Sequence, residues 1–363
     1  MTPSALTRIL PQLTGRVVLF VDFQRGSYAT IGQLYTQAFQ QLGLQVETVQ
    51  TPETEDERAA AEREYRGSIV FHQTLGRAFK PIPGATNIAL PYHEWSRYPA
   101  DWCALLNTFD AVWVPSTHLE TLLKESGVRT PIYFAPPALT LESIPQKTNW
   151  EVNGPFKFFY CGEPHFRKGH HLLMEGFMKA FPQEGEATLT IKTTAQCPWN
   201  APRNDIKLIK EQLSRKAMLE LYAQFDGFVS ASLGEGLGLP LAEAVLAKLP
   251  VACNNWGGHA DIVCQNAYFN ISHKEAEQPF CSIPEYYTPG QKCGFSSVDC
   301  IAKTLRAMKD SQSETRKTLS TIAYEHLHIN YGTLTALQKI ADTLTPLLEQ
   351  HFSKNATHEH ALN

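Results

Sequence analysis

Asp226–Gly258 reads DGFVSASLGEGLGLPLAEAVLAKLPVACNNWGG. The short apolar run Gly227–Ser230 predicts a buried strand. It feeds a Gly-rich turn, Gly234-Glu235-Gly236-Leu237-Gly238, and then a helix from Leu239 to Ala247. Pro240 falls in the first helical turn, where a missing N–H costs nothing. The strand's carboxyl end and the helix N-terminus therefore meet at the glycines. In doubly wound sheets that is where ligands bind. Free N–H groups around Gly236, Leu237, Gly238 and Leu239, with the positive end of the helix dipole, favour an anion such as phosphate.

Two carboxylates flank this anion site: Glu235 in the turn, and Glu243 eight positions on, in the first turn of the helix. A carboxylate accepts hydrogen bonds and phosphate oxygens donate none, so these acids suit hydroxyl groups better than the anion. A sugar and a ribose on either side of a diphosphate would supply hydroxyls. The plainer alternative is that Glu243 complements the helix dipole and Glu235 is a loop residue.

Outward from this stretch, strand and helix alternate. Before it, Val17–Val21, Gln45–Val49, Ser68–Phe71, Asn87–Leu90 and Ala111–Val114 read as buried strands. Ile31, Leu34, Tyr35, Ala38, Phe39 and Leu42 recur at helical spacing, and Thr117–Ser126 is a helix closed by Gly127. Glu53–Arg66 is dense in charge and reads as a solvated helix or loop. Pro136-Pro137 and the polar stretch Pro145–Pro155 break the alternation and mark a linker. Strands then resume at Lys157–Cys161 and Thr188–Lys192, and at Pro250–Cys253. Helices are expected over Gly169–Phe181 and Arg215–Gln224. This predicts two parallel, doubly wound α/β domains. An apolar stripe over Thr333–Gln350 forms a last helix that needs a partner surface. The polar residues after it, with His358 and His360, read as a disordered tail.

The chain has 363 residues, 43% of them apolar, and a net charge of -4. That suffices for two cores and argues against nucleic acid as a partner. Its eight cysteines form no CxxC pair and no zinc-like spacing, and several lie in apolar runs. Buried reduced thiols and a cytoplasmic location are the expectation. Met1–Arg8 lacks the pattern of a secretory signal, and no apolar run approaches 18 residues. Peripheral contact with a membrane is left open.

A second strand–loop–helix junction reads Cys161-Gly162-Glu163-Pro164-His165-Phe166-Arg167-Lys168-Gly169. Arg167 gives a bidentate fork and Lys168 a point charge, a pair able to neutralise a diphosphate. The alternative is an exposed basic pair. His165, His170 and His171 cluster here without a metal-binding spacing. They read as loop and helix-start residues.

Arg167-Lys168-Gly169 with Leu172-Leu173 and Phe177 resembles the RKG-xx-LL-xxxF stretch of retaining GT-B glycosyltransferases of family 4 (glycosyl transferases group 1). Glu235–Ala244 is similar to that family's EGxGLPxxEA stretch, with its E-x7-E pair. Pro250-Val251-Ala252 and Gly257-Gly258 continue the likeness. It is specific over about 155–263 and looser over 85–138, where Asp110–Ser116 resembles a D-x-V-W-V-P-S stretch. The resemblance implies a GT-B fold, two Rossmann-like domains facing across a cleft. An acceptor-side domain would span 1–140 and a nucleotide-sugar donor domain 155–328. A helix over 329–350 would pack back on the first domain, with a tail at 351–363.

The resemblance also implies roles. Arg167 and Lys168 would hold the donor diphosphate, and Glu243 the ribose hydroxyls. Glu235 would contact the transferred sugar, and the amides of Gly236–Leu239 would line sugar and phosphate. Pro91-Tyr92-His93-Glu94-Trp95 is similar to an H-E stretch whose His contacts the donor sugar, which nominates His93. No cofactor or metal is implied beyond the nucleotide-sugar donor, and the acceptor is a hydroxyl of unspecified kind. Two departures stand out: Gly162-Glu163 replaces a common Gly-Arg, and the expected loop Arg25–Gly32 lacks a Gly-Gly pair. Two other readings use the same features. One is a GT-B epimerase or phosphorylase with the same phosphate cradle. The other is a non-catalytic binding or scaffold protein.

Overall fold

The computed structural model describes residues 17–23, 26–141, 143–278 and 289–361. Arg25 and Cys281, like Met1–Arg8, lie outside them. The chain divides into two compact units. One comprises Met1–His93, Arg97–Leu141 and Asn330–Asn363; the other comprises Glu94–Ser96 and Glu142–Ile329.

In the first unit, β1 (Val17–Val21) is buried along its whole length, as its unbroken apolar run requires. It pairs in parallel with β2 (Val46–Gln50) on one side and β3 (Ile69–Gln73) on the other. With β4 (Thr86–Ala89), β5 (Ala111–Val114) and β6 (Ile132–Phe134) the order is β2-β1-β3-β4-β5-β6, every pairing parallel. The first helix, α1 (Gly26–Gln41), buries Ile31, Leu34, Tyr35, Ala38 and Phe39. Phe39 meets Phe71 of β3 at 4.8 Å between ring centres, and Phe71 meets Trp113 of β5 at 5.0 Å. The expected loop over Arg25–Gly32 is thus corrected: from Gly26 on, the chain is already helical. The solvated segment becomes α2 (Glu55–Glu64), started by a capping box between Thr54 and Glu57. Two further helices, α3 (Ala100–Leu106) and α4 (Thr117–Ser126), follow. The Ser116 hydroxyl caps α4 by accepting from the Leu119 N–H at 3.2 Å.

The second unit repeats the plan with β7 (Phe156–Cys161), β8 (Ala187–Lys192), β9 (Ile206–Ile209), β10 (Gly227–Val229), β11 (Val251–Cys253) and β12 (Phe269–Asn270). Their order is β12-β11-β10-β7-β8-β9, again all parallel. Its helices are α5 (His170–Ala180), α6 (Arg215–Tyr222), α7 (Leu239–Leu246), α8 (His259–Ile262), α9 (Val298–Asp310) and α10 (Ser313–Tyr331), whose last two residues fall in the first unit. An antiparallel hairpin, β13 (Lys274–Glu277) and β14 (Lys292–Phe295), stands apart from the sheet. At the amino end of β7, Asp226 accepts from the Lys157 N–H at 3.0 Å and pairs with Lys147 at 3.2 Å. That gives Asp226 a structural task.

The last helix, α11 (Thr333–Ala361), belongs to the first unit and packs on α1. Ile340, Leu344, Leu347 and Leu348 are buried. The expected tail from 351 is corrected, because the helix runs on to Ala361. His351 is buried, and its Nδ1 lies 2.7 Å from the Thr86 hydroxyl, an anchor beyond the apolar stripe. The seven cysteines among the described residues are free thiols. Among those residues no helix is long and apolar enough to cross a membrane. The fold is α/β, with two six-stranded parallel sheets.

Candidate active site in the second unit

The carboxyl ends of β7 and β10 carry the two loops singled out by the sequence, and the fold brings them together. After β7 the chain makes a single 3-10 turn, Phe166–Lys168, and reverses at Gly169, whose φ is 65°. A Cβ on Gly169 would lie 2.1 Å from the Ala231 carbonyl oxygen, so only glycine lets this loop lie against the chain leaving β10. The Leu233 N–H donates to the Arg167 carbonyl at 2.8 Å, fastening the two loops backbone to backbone. The Tyr160 hydroxyl donates to the Lys168 carbonyl at 2.8 Å.

The side chains then converge. The Lys168 ammonium donates to Glu235 Oε1 at 2.6 Å, and the Arg167 guanidinium lies 3.1 Å from Glu235 Oε2. Arg167 also bonds the Gly234 carbonyl at 2.6 Å and pairs with Glu94 at 3.0 Å. The Ser232 hydroxyl adds a third donor to Glu235 at 2.8 Å. Glu235 is only 8% exposed. Burial alone would raise its carboxyl, but Lys168 and then Arg167 outweigh that and hold it well below the usual carboxylate range. The two cations are therefore matched by two carboxylates. An incoming diphosphate would meet the donors left over on Lys168 and Arg167 and the N–H groups at the start of α7.

α7 opens at Gly238, a cap with no side chain to occupy those N–H groups. Behind the turn, Gly257-Gly258 lies tight against Glu235–Leu237. The Gly258 N–H donates to the Glu235 carbonyl at 2.6 Å, and a Cβ on Gly258 would sit 2.6 Å from the Gly236 backbone. The buried His259 ring packs on Gly238, and burial pushes this imidazole down to about 4 against the opposing pull of Glu235. Neutral at pH 7, it adds no charge to the cluster.

Glu243 is the fifth residue of α7, so it lies in the second turn rather than the first as expected. It is 4% exposed. One oxygen is bonded by the Arg215 guanidinium, the other by the Tyr222 hydroxyl at 2.6 Å. Burial, and then the Glu243 charge, push the neighbouring Cys161 thiol up to about 12, so it remains a thiol. The acid at the Gly162-Glu163 departure pairs with His165 at 3.0 Å, which lowers its carboxyl. Its charge thus has a local partner.

His93 is buried in the first unit. Its Nε2–H donates to the Arg97 carbonyl at 2.6 Å, and its ring packs edge-on against Tyr98. The second unit gathers Arg167, Lys168, Glu235, Gly236, Leu237, Gly238, Leu239 and Glu243 around the start of α7. Reading the sequence missed Arg215, Tyr222, Ser232 and Glu94. Arg215 and Tyr222 are two helical turns apart on α6 and share a face, a visible spacing that carried no reason to single them out. Among the described residues, no group of three or more His, Cys, Asp or Glu side chains could hold a metal ion.

Residues 155–278 match the family described as glycosyl transferases group 1. The matched stretch contains every second-unit site residue named above except Glu94. A 123-residue stretch is 29% identical to the serotype-specific mannosyltransferase WbdA of Escherichia coli, covering 31% of this chain and 15% of that protein. The chain thus spans only a small part of that relative's length. Among solved structures, a glycosyltransferase from Rickettsia africae is similar with a TM-score of 0.67 at 13% identity, over 92% of this chain and 99% of that one. Anabaena Alr3699/HepE, in complex with UDP and glucose, gives 0.65 at 15% identity, over 92% of this chain and 100% of that one. Staphylococcus aureus TarM gives 0.61 at 13%, over 80% of this chain and 58% of that one. At these identities the likeness establishes the fold, which is GT-B.

Proposed function

We propose that this chain is a glycosyltransferase that moves a sugar from a nucleoside diphosphate donor to an acceptor hydroxyl, with retention of anomeric configuration and without a metal. The observation that carries this reading is the convergence of Lys168 and Arg167 on Glu235 at the uncapped start of α7. That cluster lies inside the stretch matching glycosyl transferases group 1. The UDP seen with the Anabaena protein agrees with a nucleotide donor.

In this reading the diphosphate takes N–H groups at the start of α7, over Gly236–Leu239, and the remaining donors of Arg167 and Lys168. These cations are already fixed by carboxylates, so little reorganisation accompanies loss of the leaving group. The departing diphosphate takes the acceptor's proton on the same face of the sugar, which preserves configuration. Glu235 faces the transferred sugar and Glu243 the ribose. The cations take the charge-neutralising part that a metal would play.

A thermal-shift screen of UDP-, GDP- and ADP-sugars tests the donor class. A melting rise with one donor series supports the reading, and no response to any of the three removes it. Proton NMR of the product with an acceptor then reads the anomeric outcome, and inversion would overturn retention.

A further inference from the structure

Glu243 is a buried carboxylate with one donor already on each oxygen: the Arg215 guanidinium on Oε1 and the Tyr222 hydroxyl on Oε2. Each carboxylate oxygen offers about two acceptor sites. Each therefore keeps one, side by side on a carboxylate whose rotation is fixed from both ends. Two adjacent acceptors with no donor between them match a pair of neighbouring hydroxyls. They do not match a phosphate, which donates nothing, or a nucleobase edge that presents an acceptor.

The two donors come from one helix. Arg215 is the first residue of α6, after the Ser214 cap, and Tyr222 is the last. The Tyr222 hydroxyl is fully buried; burial first, and then the Glu243 charge, push it well above its ordinary range, so it stays protonated and donates. Arg215 is partly exposed, with a side-chain exposure of 30%, against 5% for Glu243. Its positive charge balances the buried carboxylate at the edge of the site.

We infer that Arg215 and Tyr222 are positioning residues that hold Glu243 so that it recognises the cis-diol of a ribose and discriminates against a deoxyribose. This rests on the donor reading above. The pair acts through Glu243 and touches no substrate itself. Tyr222→Phe and Arg215→Gln should leave the carboxylate in place but free to turn. A freed carboxylate still binds water or a cation, but loses its match to the diol.

The test is calorimetry of the full chain with UDP, GDP and ADP and with their 2′-deoxy counterparts, alongside melting temperatures. The wild-type protein should bind its preferred ribonucleotide about tenfold or more tightly than the 2′-deoxy form, the scale of one lost charge-assisted hydrogen bond. Tyr222→Phe should cut that ratio several-fold while still folding, and Arg215→Gln should cut it further. Arg215→Lys, which keeps the charge, should recover part of it. In a Glu243→Gln background, Tyr222→Phe should change the ratio no further. A purely structural role would weaken ribo- and deoxynucleotides alike and lower the melting temperature. That pattern, or an unchanged ratio in both single variants, overturns the inference while the donor reading stands. A wild-type protein that binds none of the six nucleotides overturns both.

Discussion

At the scale of single residues, Glu235 and Glu243 share a helix start and a charge but differ in what holds them. Glu235 is bound by two cations and a hydroxyl, Glu243 by one cation and a phenol. Removing the Glu235 charge releases Lys168 and Arg167 toward a diphosphate. Glu235→Gln should therefore leave binding of the free nucleoside diphosphate intact or tighten it, while turnover falls. Glu243→Gln should weaken donor and free nucleotide alike, by about 1–3 kcal/mol. Calorimetry paired with steady-state kinetics reads both. A Glu235→Gln protein that folds but binds no nucleotide, beside a Glu243→Gln protein that binds normally, would reverse the assignment.

At the scale of elements, two junctions bear the load. The loop after β7 can reach the Glu235 turn because Gly169 adopts a positive φ and has no Cβ, which would otherwise lie 2.1 Å from the Ala231 carbonyl oxygen. Gly169→Ala cannot fit without moving one loop off the other. It should lower the melting temperature and weaken nucleotide binding together, and an unaltered affinity would show that the two loops work independently. In the first unit, α11 packs on α1, and its Leu344 is fully buried. Leu344→Ala should cost about 2–5 kcal/mol by loss of contact and the cavity left behind. Urea denaturation measures this, and a change below about 0.5 kcal/mol would mean the helix is dispensable to the unit's stability.

For the whole molecule, acid should be the main stress. Burial lowers His72, His170 and His259 from 6.5 to about 4. The unfolded chain takes up these protons first as pH falls, so stability present above about pH 6.5 drains away between 6.5 and 4. A displacement of that size corresponds to about 3 kcal/mol for each histidine. Glu235, held low by its cations, adds a further loss below about pH 4.5. Melting temperature should fall steadily from pH 7 to pH 4.5, and His72→Gln should flatten part of that fall. A level profile over this range contradicts the burial argument. Sugar transfer should also survive EDTA. Loss of activity on chelation, restored by manganese or magnesium, would replace the cation-based account of the leaving group.

Local sequence carries much of this protein. Buried parallel strands need unbroken apolar runs, so β1 and β5 can be read to the residue. The turn at Glu235–Gly238 can be read as an anion site because glycine and a helix start are local features. The short strands β6 and β12 and the β13–β14 hairpin escape such reading, since two to four residues hold no period. The polar end of α11 escapes it too, because His351 is anchored by Thr86, 265 positions away. The partners of the charged groups belong to the tertiary structure alone. Nothing in the spacing of Lys168 and Glu235, 67 apart, or of Arg215 and Glu243, 28 apart, says that they touch. Chemical type is written in the chain, whereas which charge neutralises which is decided only when parallel strands bring their carboxyl ends together.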